Sequence, residues 1–365
     1  MDDHNRKRRL ASRVLLGTLT TLLISAFIPG CGVGYVVRSA YFQAELLGSR
    51  VPVDEVRATR ELSEKHLAAL DRIADVKAYG AEIGLKATDN YETIAIDWER
   101  TIWNMSACPS LSFQPVTWRF PIVGTVPYLG FFRESDANKW VDRMKGQGHE
   151  VYLRTAGAYS TLGWFKDPIL PGMLEWDEQR LADTVLHELA HATLWVPGSV
   201  KFNESFANFV GETASFRYLS KRFGSDHEIY TQARSFHRDL SVWREILREL
   251  YQDLDAVYSD PDRSDEEKMI VRESLYGSLH ERVDAADLTH RARFSEAVKK
   301  GPWNNARLVQ YRTYNHKREW FQTVLDKEGG DILRFIEAIG HITKGSDSPF
   351  EALEAAAGDT PPPAK

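Results

Sequence analysis

Apolar residues recur at helical spacing over most of this chain, with one interruption in its first half. The spacing predicts helices over residues 41 to about 51 and 53 to about 84. It becomes helical again after Leu181 and remains so nearly to the C-terminus. The longest predicted helical region is therefore the second half of the chain.

The interruption has the pattern of a small sheet. Residues 93–96, 116–120 and 150–156 are rich in β-branched and aromatic side chains and predict strands, while glycine and proline over 121–132 predict a hairpin or bulged loop. A further helix is predicted from residue 135 to about 145. We therefore expect an α+β fold, with a small mixed sheet lobe followed by a mainly helical lobe.

The helix predicted after Leu181 carries the candidate chemistry. Its sequence includes His187-Glu188-Leu189-Ala190-His191, an HExxH pattern among only 11 histidines. Residues four apart share one face of a helix, so both imidazoles can bind one Zn²⁺ ion, and Glu188 is placed to accept a proton from water. Apolar neighbours at helical spacing predict that this helix is largely buried. Two buried histidines that bind no ligand would leave unpaired polar groups, which is unfavourable.

A third ligand is expected thirteen residues after His191, at Glu204. The intervening residues 196–202 contain proline and glycine and predict a tight turn. Asn203 is the expected N-cap of a second helix, which places Glu204 in its first turn. His187, His191 and Glu204 then form the predicted site for one zinc ion per chain, with a position left open to water.

The pairing of HELAH with NESFA resembles the gluzincin peptidases, both thermolysin-like and aminopeptidase N-like. The resemblance implies a zincin-like fold, with Glu204 as the third ligand beside Asn203. In those groups the glutamate lies further from the second histidine than it does here. It also implies that residues 150–156 are an edge strand for an extended substrate, although an ordinary core strand is the alternative.

Further segments narrow the resemblance. YSTLGWF at residues 159–165, FNESFANFVGE at 202–212 and GCGVGYVVRSAYFQAELL at 30–47 are similar to a family of bacterial lipoproteins called predicted aminopeptidases. The resemblance extends from the leader to about residue 340. It implies a peptide or protein substrate and an aminopeptidase activity.

The N-terminus has the pattern of a secretory leader. Basic residues between positions 6 and 13 precede a mostly apolar stretch from Val14 to Ile28, which is short for a membrane span. The sequence Ile28-Pro29-Gly30-Cys31 resembles a bacterial lipobox, so Cys31 is the expected lipidated residue. Gly32 in the next position favours the periplasmic face of the outer membrane by the same resemblance. An uncleaved anchor that continues through residues 34–37 is the alternative.

These observations give the expected domain organisation. Residues 1–30 are a lipoprotein signal peptide, and 31–350 form one metallopeptidase domain. Within that domain, a helical segment at 31–90 precedes a sheet-containing lobe at 91–180 and a helical lobe at 181–350. Residues 351–365, rich in alanine and proline, are expected to be a disordered tail.

Charge and cysteine content narrow the class of protein. Without residues 1–30, the formal net charge changes from −6 to −9, and so acidic a chain does not indicate a nucleic-acid-binding protein. There are two cysteines. If Cys31 carries a lipid, then Cys108 has no partner within the chain, and we interpret it as a small buried apolar residue. Oligomeric state does not follow from these features.

Other residues are expected to support catalysis. Glu188 is the predicted general base, and Tyr159 is the first candidate for stabilising the oxyanion, with Tyr311 and Tyr314 as rivals. Asp183, Asn208 and Glu212 can orient ligands by helical spacing.

Three functions remain open. Aminopeptidase action is the first, although the chain lacks the GxMEN segment that binds the substrate amine in aminopeptidase N-like enzymes. A zinc endopeptidase of envelope proteins is the second. A non-catalytic envelope assembly or binding lipoprotein with a structural metal site is the third, and the presence of Glu188 argues against it.

Overall fold

Helices and three small sheets make up the computed structural model of this chain, which describes residues 33–120, 124–156, 166–314 and 317–358. The strands are β1 (Val51–Pro52), β2 (Thr93–Ile94), β3 (Ile102–Pro109), β4 (Trp118–Phe120), β5 (Gly124–Val126), β6 (Leu129–Phe131) and β7 (His149–Ala156). The helices of the first half are α1 (Val33–Gly48), α2 (Val53–Thr59), α3 (Glu64–Glu82) and α4 (Glu134–Gly146). The predicted α+β class is confirmed.

The second half is helical, as predicted. A short 3₁₀ turn (Pro171–Glu175) precedes α5 (Glu178–Thr193), α6 (Val200–Phe223), α7 (Glu228–Ser259), α8 (Asp265–Gly277), α9 (Leu279–Ala285), α10 (Arg291–Lys299), α11 (Asn305–Tyr314), α12 (Arg318–Lys327), α13 (Ile332–Thr343) and α14 (Pro349–Ala357). None of the helices in the described ranges is both long and apolar enough to cross a bilayer. Residues 1–32, which hold the predicted leader and Cys31, lie outside those ranges.

Several boundaries predicted in the first half are corrected. The helix predicted from residue 41 to about 51 is α1, over Val33–Gly48, and the strand predicted at 93–96 is β2, over Thr93–Ile94. The helix predicted over residues 53–84 is divided into α2 and α3, because Ser63 accepts a hydrogen bond from the His66 amide and starts a new helix there. The predicted strand at 116–120 is shorter, and β4 pairs with β5.

The central strand of the largest sheet, β3, is not evident from the sequence. Its sheet has the order β6-β3-β7, and both pairings are antiparallel. Polar residues interrupt the apolar run of β3, and their partners are distant in sequence. The Ser106 hydroxyl donates to the carbonyl of Ala306, 200 positions away, at 3.3 Å. The expected mixed sheet is replaced by antiparallel pairs, with one isolated parallel bridge between Ile94 and Ile169.

The C-terminal prediction is also corrected. Residues 351–357 of the expected disordered tail instead belong to α14, because Leu353 and Ala357 are buried. Residues 359–365 lie outside the described part of the chain. Helices α7 to α10 enclose a second apolar cluster around Trp243, Leu250 and Leu279.

Helices α5 and α6 form an antiparallel hairpin at the centre of the main core. Asp177 caps the N-terminus of α5 by accepting from the Arg180 amide at 2.8 Å. The residues of α5 that face inward are Leu181, Ala182, Val185, Leu186, Leu189 and Ala190, and all are buried. Because α6 is itself buried along most of its length, the polar side chains between the two helices are held away from bulk solvent.

Candidate metal centre

The turn between α5 and α6 is held by a buried asparagine. The Asn203 side chain accepts from the Val196 amide and donates to the Val196 carbonyl, both at 2.8 Å. Helix α6 already begins at Val200, so the prediction of Asn203 as an N-cap is wrong, and Glu204 lies in the second turn. The two bonds instead fix the connection, with Gly198 at φ 79° supplying its reversal.

This hairpin brings the three predicted ligand side chains together. Glu204 Oε2 lies 3.6 Å from Nε2 of His187 and 3.6 Å from Nε2 of His191. One potential ligand atom from each residue falls within 4.8 Å of the others. Tetrahedral zinc with bonds of about 2.0–2.1 Å needs such ligand atoms about 3.3–3.4 Å apart. The two separations of 3.6 Å are close to this value, so these imidazole nitrogens and this carboxylate oxygen can hold an ion of that size.

The charges of this cluster act on one another. Burial by itself lowers the pKa of His187, but the carboxylates of Glu204, Glu188 and Asp183 outweigh it and raise that pKa to about 9. Burial would raise the pKa of the Glu204 carboxyl, yet the two imidazoles hold it well below its usual range. The carboxylate is therefore ionised, as a metal ligand must be.

Glu188 lies on α5 directly after His187, the first predicted ligand. Its Oε2 is buried and has no hydrogen-bond partner among the described residues. Tyr91 is a neighbour that sequence reasoning missed: burial first, and then the charges of Glu188 and Asp167, raise the pKa of its phenol well above the usual value. Tyr91 also has φ 64°, an unusual conformation for a residue with a side chain.

Behind the ligands lies a network of buried charges. Burial, followed by the charge of Glu212, raises the pKa of Asp183 to about 7, against the opposing effect of His187 and two arginines. Glu212 contacts His237 and Arg244, and its Oε1 lies 2.8 Å from Nη2 of Arg318. Two of the three residues predicted to support the ligands, Asp183 and Glu212, thus belong to one electrostatic network next to His187.

The tyrosines predicted to stabilise the oxyanion remain predictions. Tyr159 and the side chain of Tyr314, at the end of α11, lie outside the described part of the structure. Tyr311 interacts with Arg244, and burial raises its pKa to about 12. Among the described residues, Tyr128 contacts a predicted ligand: its hydroxyl donates to Glu204 Oε1 at 3.4 Å. The sequence around Tyr128 predicted a hairpin or bulged loop from its glycine and proline content, but no role for this tyrosine.

Close contact between α5 and α6 depends on Gly211. A Cβ atom at this position would lie 2.8 Å from the Asp183 carbonyl oxygen and 3.0 Å from Cβ of His187. We expect Gly211→Ala to separate the helices and lower the free energy of unfolding by about 1–3 kcal/mol. Urea denaturation measures this change. Gly340→Ala is the control, because a Cβ there, within α13, meets nothing within 4 Å; an equal loss in both variants would contradict the packing argument.

The chain also matches a protein family. A family model described as "Putative aminopeptidase" matches residues 34–352. The chain belongs to this family. The match to the aminopeptidase family spans the α5–α6 hairpin together with the sheets and most of the surrounding helices. Membership supports a peptidase-like function and confirms the resemblance to the predicted aminopeptidases. Neither the curated proteins nor the solved structures gave a match.

Proposed function

We propose that this protein is a zinc-dependent peptidase that removes residues from the N-terminus of peptides. The observation that carries the proposal is the convergence of His187, His191 and Glu204 beside Glu188 on a buried helical hairpin. Three protein ligands leave a position open, as in catalytic zinc sites, whereas structural sites are closed by four. The gluzincin relationship and the identity of the ion are part of this proposal.

The chain's own residues have distinct tasks in the reaction. His187, His191 and Glu204 would hold the ion, which supplies a Lewis acid that polarises a carbonyl and activates water. Glu188 accepts the proton from the attacking water and returns it to the departing amine. Tyr128 donates to Glu204 and so holds this carboxylate in position. Tyr159 remains our proposal for the oxyanion donor.

Zinc uptake should release a proton at neutral pH. A metal binds neutral imidazole, and the metal-free His187 is protonated below a pKa of about 9. Apparent zinc affinity should therefore rise with pH, by about tenfold per unit below that pKa. Calorimetry in two buffers of different ionisation enthalpy at pH 7 should report about one proton released per zinc bound. Zinc binding without proton release would contradict a protonated His187.

A peptide assay tests the activity itself. Purified protein is incubated with zinc and a peptide library whose N-termini are either free or acetylated, and the products are sequenced by mass spectrometry. Stepwise shortening of free N-termini alone supports an aminopeptidase. Internal cleavage of both sets supports the endopeptidase alternative. Activity should disappear with a chelator and return with zinc; absence of cleavage by zinc-loaded protein would favour a binding lipoprotein.

We further propose that the protein is tethered to the bacterial envelope membrane through lipidated Cys31. The support is the leader sequence over residues 1–30, which Cys31 and Gly32 separate from the start of α1 at Val33. Mass spectrometry of the membrane fraction should find a diacylglyceryl group on Cys31, and Cys31→Ala should release the protein or leave its leader uncleaved.

A further inference from the structure

We infer that an open pocket between α6, α7 and α12 binds a small organic anion. The pocket has a volume of about 520 Å³, and its lining includes Arg217, Lys221, Arg234 and Arg318. None of the three predicted metal ligands lines it. The inference therefore goes beyond the proposed function and does not depend on it.

The floor of the pocket holds a fixed guanidinium group. The buried carboxylate of Glu212 faces Arg318, Arg244 and His237, and Asp183, which does not line the pocket, also acts on both arginines. The ion pair at 2.8 Å fixes Arg318 in the lining, where its remaining donors can reach a ligand. A guanidinium group presents five N–H donors in a plane, which matches the oxygens of a phosphate or carboxylate.

The rim adds further positive charge. Arg217 donates to the Gly330 carbonyl at 2.6 Å, and Lys221 pairs with Glu82. Arg234 has no ion pair among the residues that the structure describes; its guanidinium carbon lies 5.9 Å from the centre of the Phe216 ring. Four cationic side chains and one carboxylate thus line the pocket, and an anionic ligand would complement them.

The size and the aromatic residues indicate that the ligand has an organic part. Small-molecule pockets have volumes of about 300–1,000 Å³, which includes the value found here. The rings of Phe216 and Tyr230 line the same pocket and can pack against an apolar group. A lipid surface is a poorer fit, because none of the exposed large apolar residues in the described ranges belongs to the lining.

Calorimetry on the full-length chain with inorganic phosphate and with phenyl phosphate tests the assignment. Both should bind, phenyl phosphate more tightly, and added NaCl should weaken both. Arg234→Gln should weaken binding by about tenfold, the expected effect of removing one charged hydrogen bond. Arg248→Gln is the matched control. It removes the same charge from an exposed position on the same helix, where Arg248 pairs with Glu245 outside the pocket.

The outcomes are decisive in either direction. Loss of affinity in Arg234→Gln, and again in Lys221→Gln, with Arg248→Gln unchanged would support the site. Failure of both probes to bind wild-type protein would overturn it, as would equal loss in the control. Equal affinity for the two probes would exclude the organic part of the ligand. Because the readout is binding, an inactive peptidase would leave this test intact.

Discussion

Glu188→Gln is expected to lower kcat for peptide hydrolysis by about 10²–10⁴-fold, the usual contribution of a general base. Glutamine has nearly the same shape but accepts no proton from water. Glu188 Oε2 has no hydrogen-bond partner among the described residues, so the substitution should break no internal hydrogen bond of that atom. The variant should therefore fold normally and retain one zinc per chain.

The measurements are initial rates on a cleaved peptide and zinc content by elemental analysis. Glu249→Gln is the matched control, since it makes the same chemical change at an exposed position of α7. The control should keep wild-type rates. Full activity in Glu188→Gln would show that Glu188 is not the general base. Loss of activity together with loss of zinc would assign Glu188 a structural role instead.

Glu204→Gln is expected to weaken zinc binding by more than about 100-fold, because even the loss of a group that only supports a ligand weakens binding by about 10–100-fold. The carboxylate is the single negative ligand of the proposed set. It lies 3.6 Å from both imidazole nitrogens and is held ionised by them. Activity should fall in parallel, since the same ion is proposed to activate water and substrate.

Competition against a zinc-selective indicator measures the affinity, and excess zinc provides the second arm. Activity that returns at high zinc would show that Glu204 contributes mainly to retention of the ion. Wild-type affinity in Glu204→Gln would rule out Glu204 as a ligand. Glu354→Gln, in the exposed face of α14, controls for the loss of one negative charge.

The sequence determined the local features of this protein. Helical periodicity predicted that the second half is helical, and the apolar face of α5 predicted a largely buried helix that carries His187 and His191. These features depend on contacts within a few residues, so the pattern alone encodes them. The spacing of Glu204 from His191 then predicted a cluster that the structure brings together.

Only the tertiary structure decided which distant residues support that cluster. Tyr128 donates a hydrogen bond to Glu204, which lies 76 residues later in the chain. Glu212 contacts His237 and two arginines, which belong to other helices. Strand β3 likewise is defined by its pairing with β6 and with the later strand β7, and Ser106 on it bonds to Ala306, 200 positions away. Each of these contacts joins segments whose own sequences favour no particular partner. Their pairing is therefore set by the packing of the whole core, which no local pattern records.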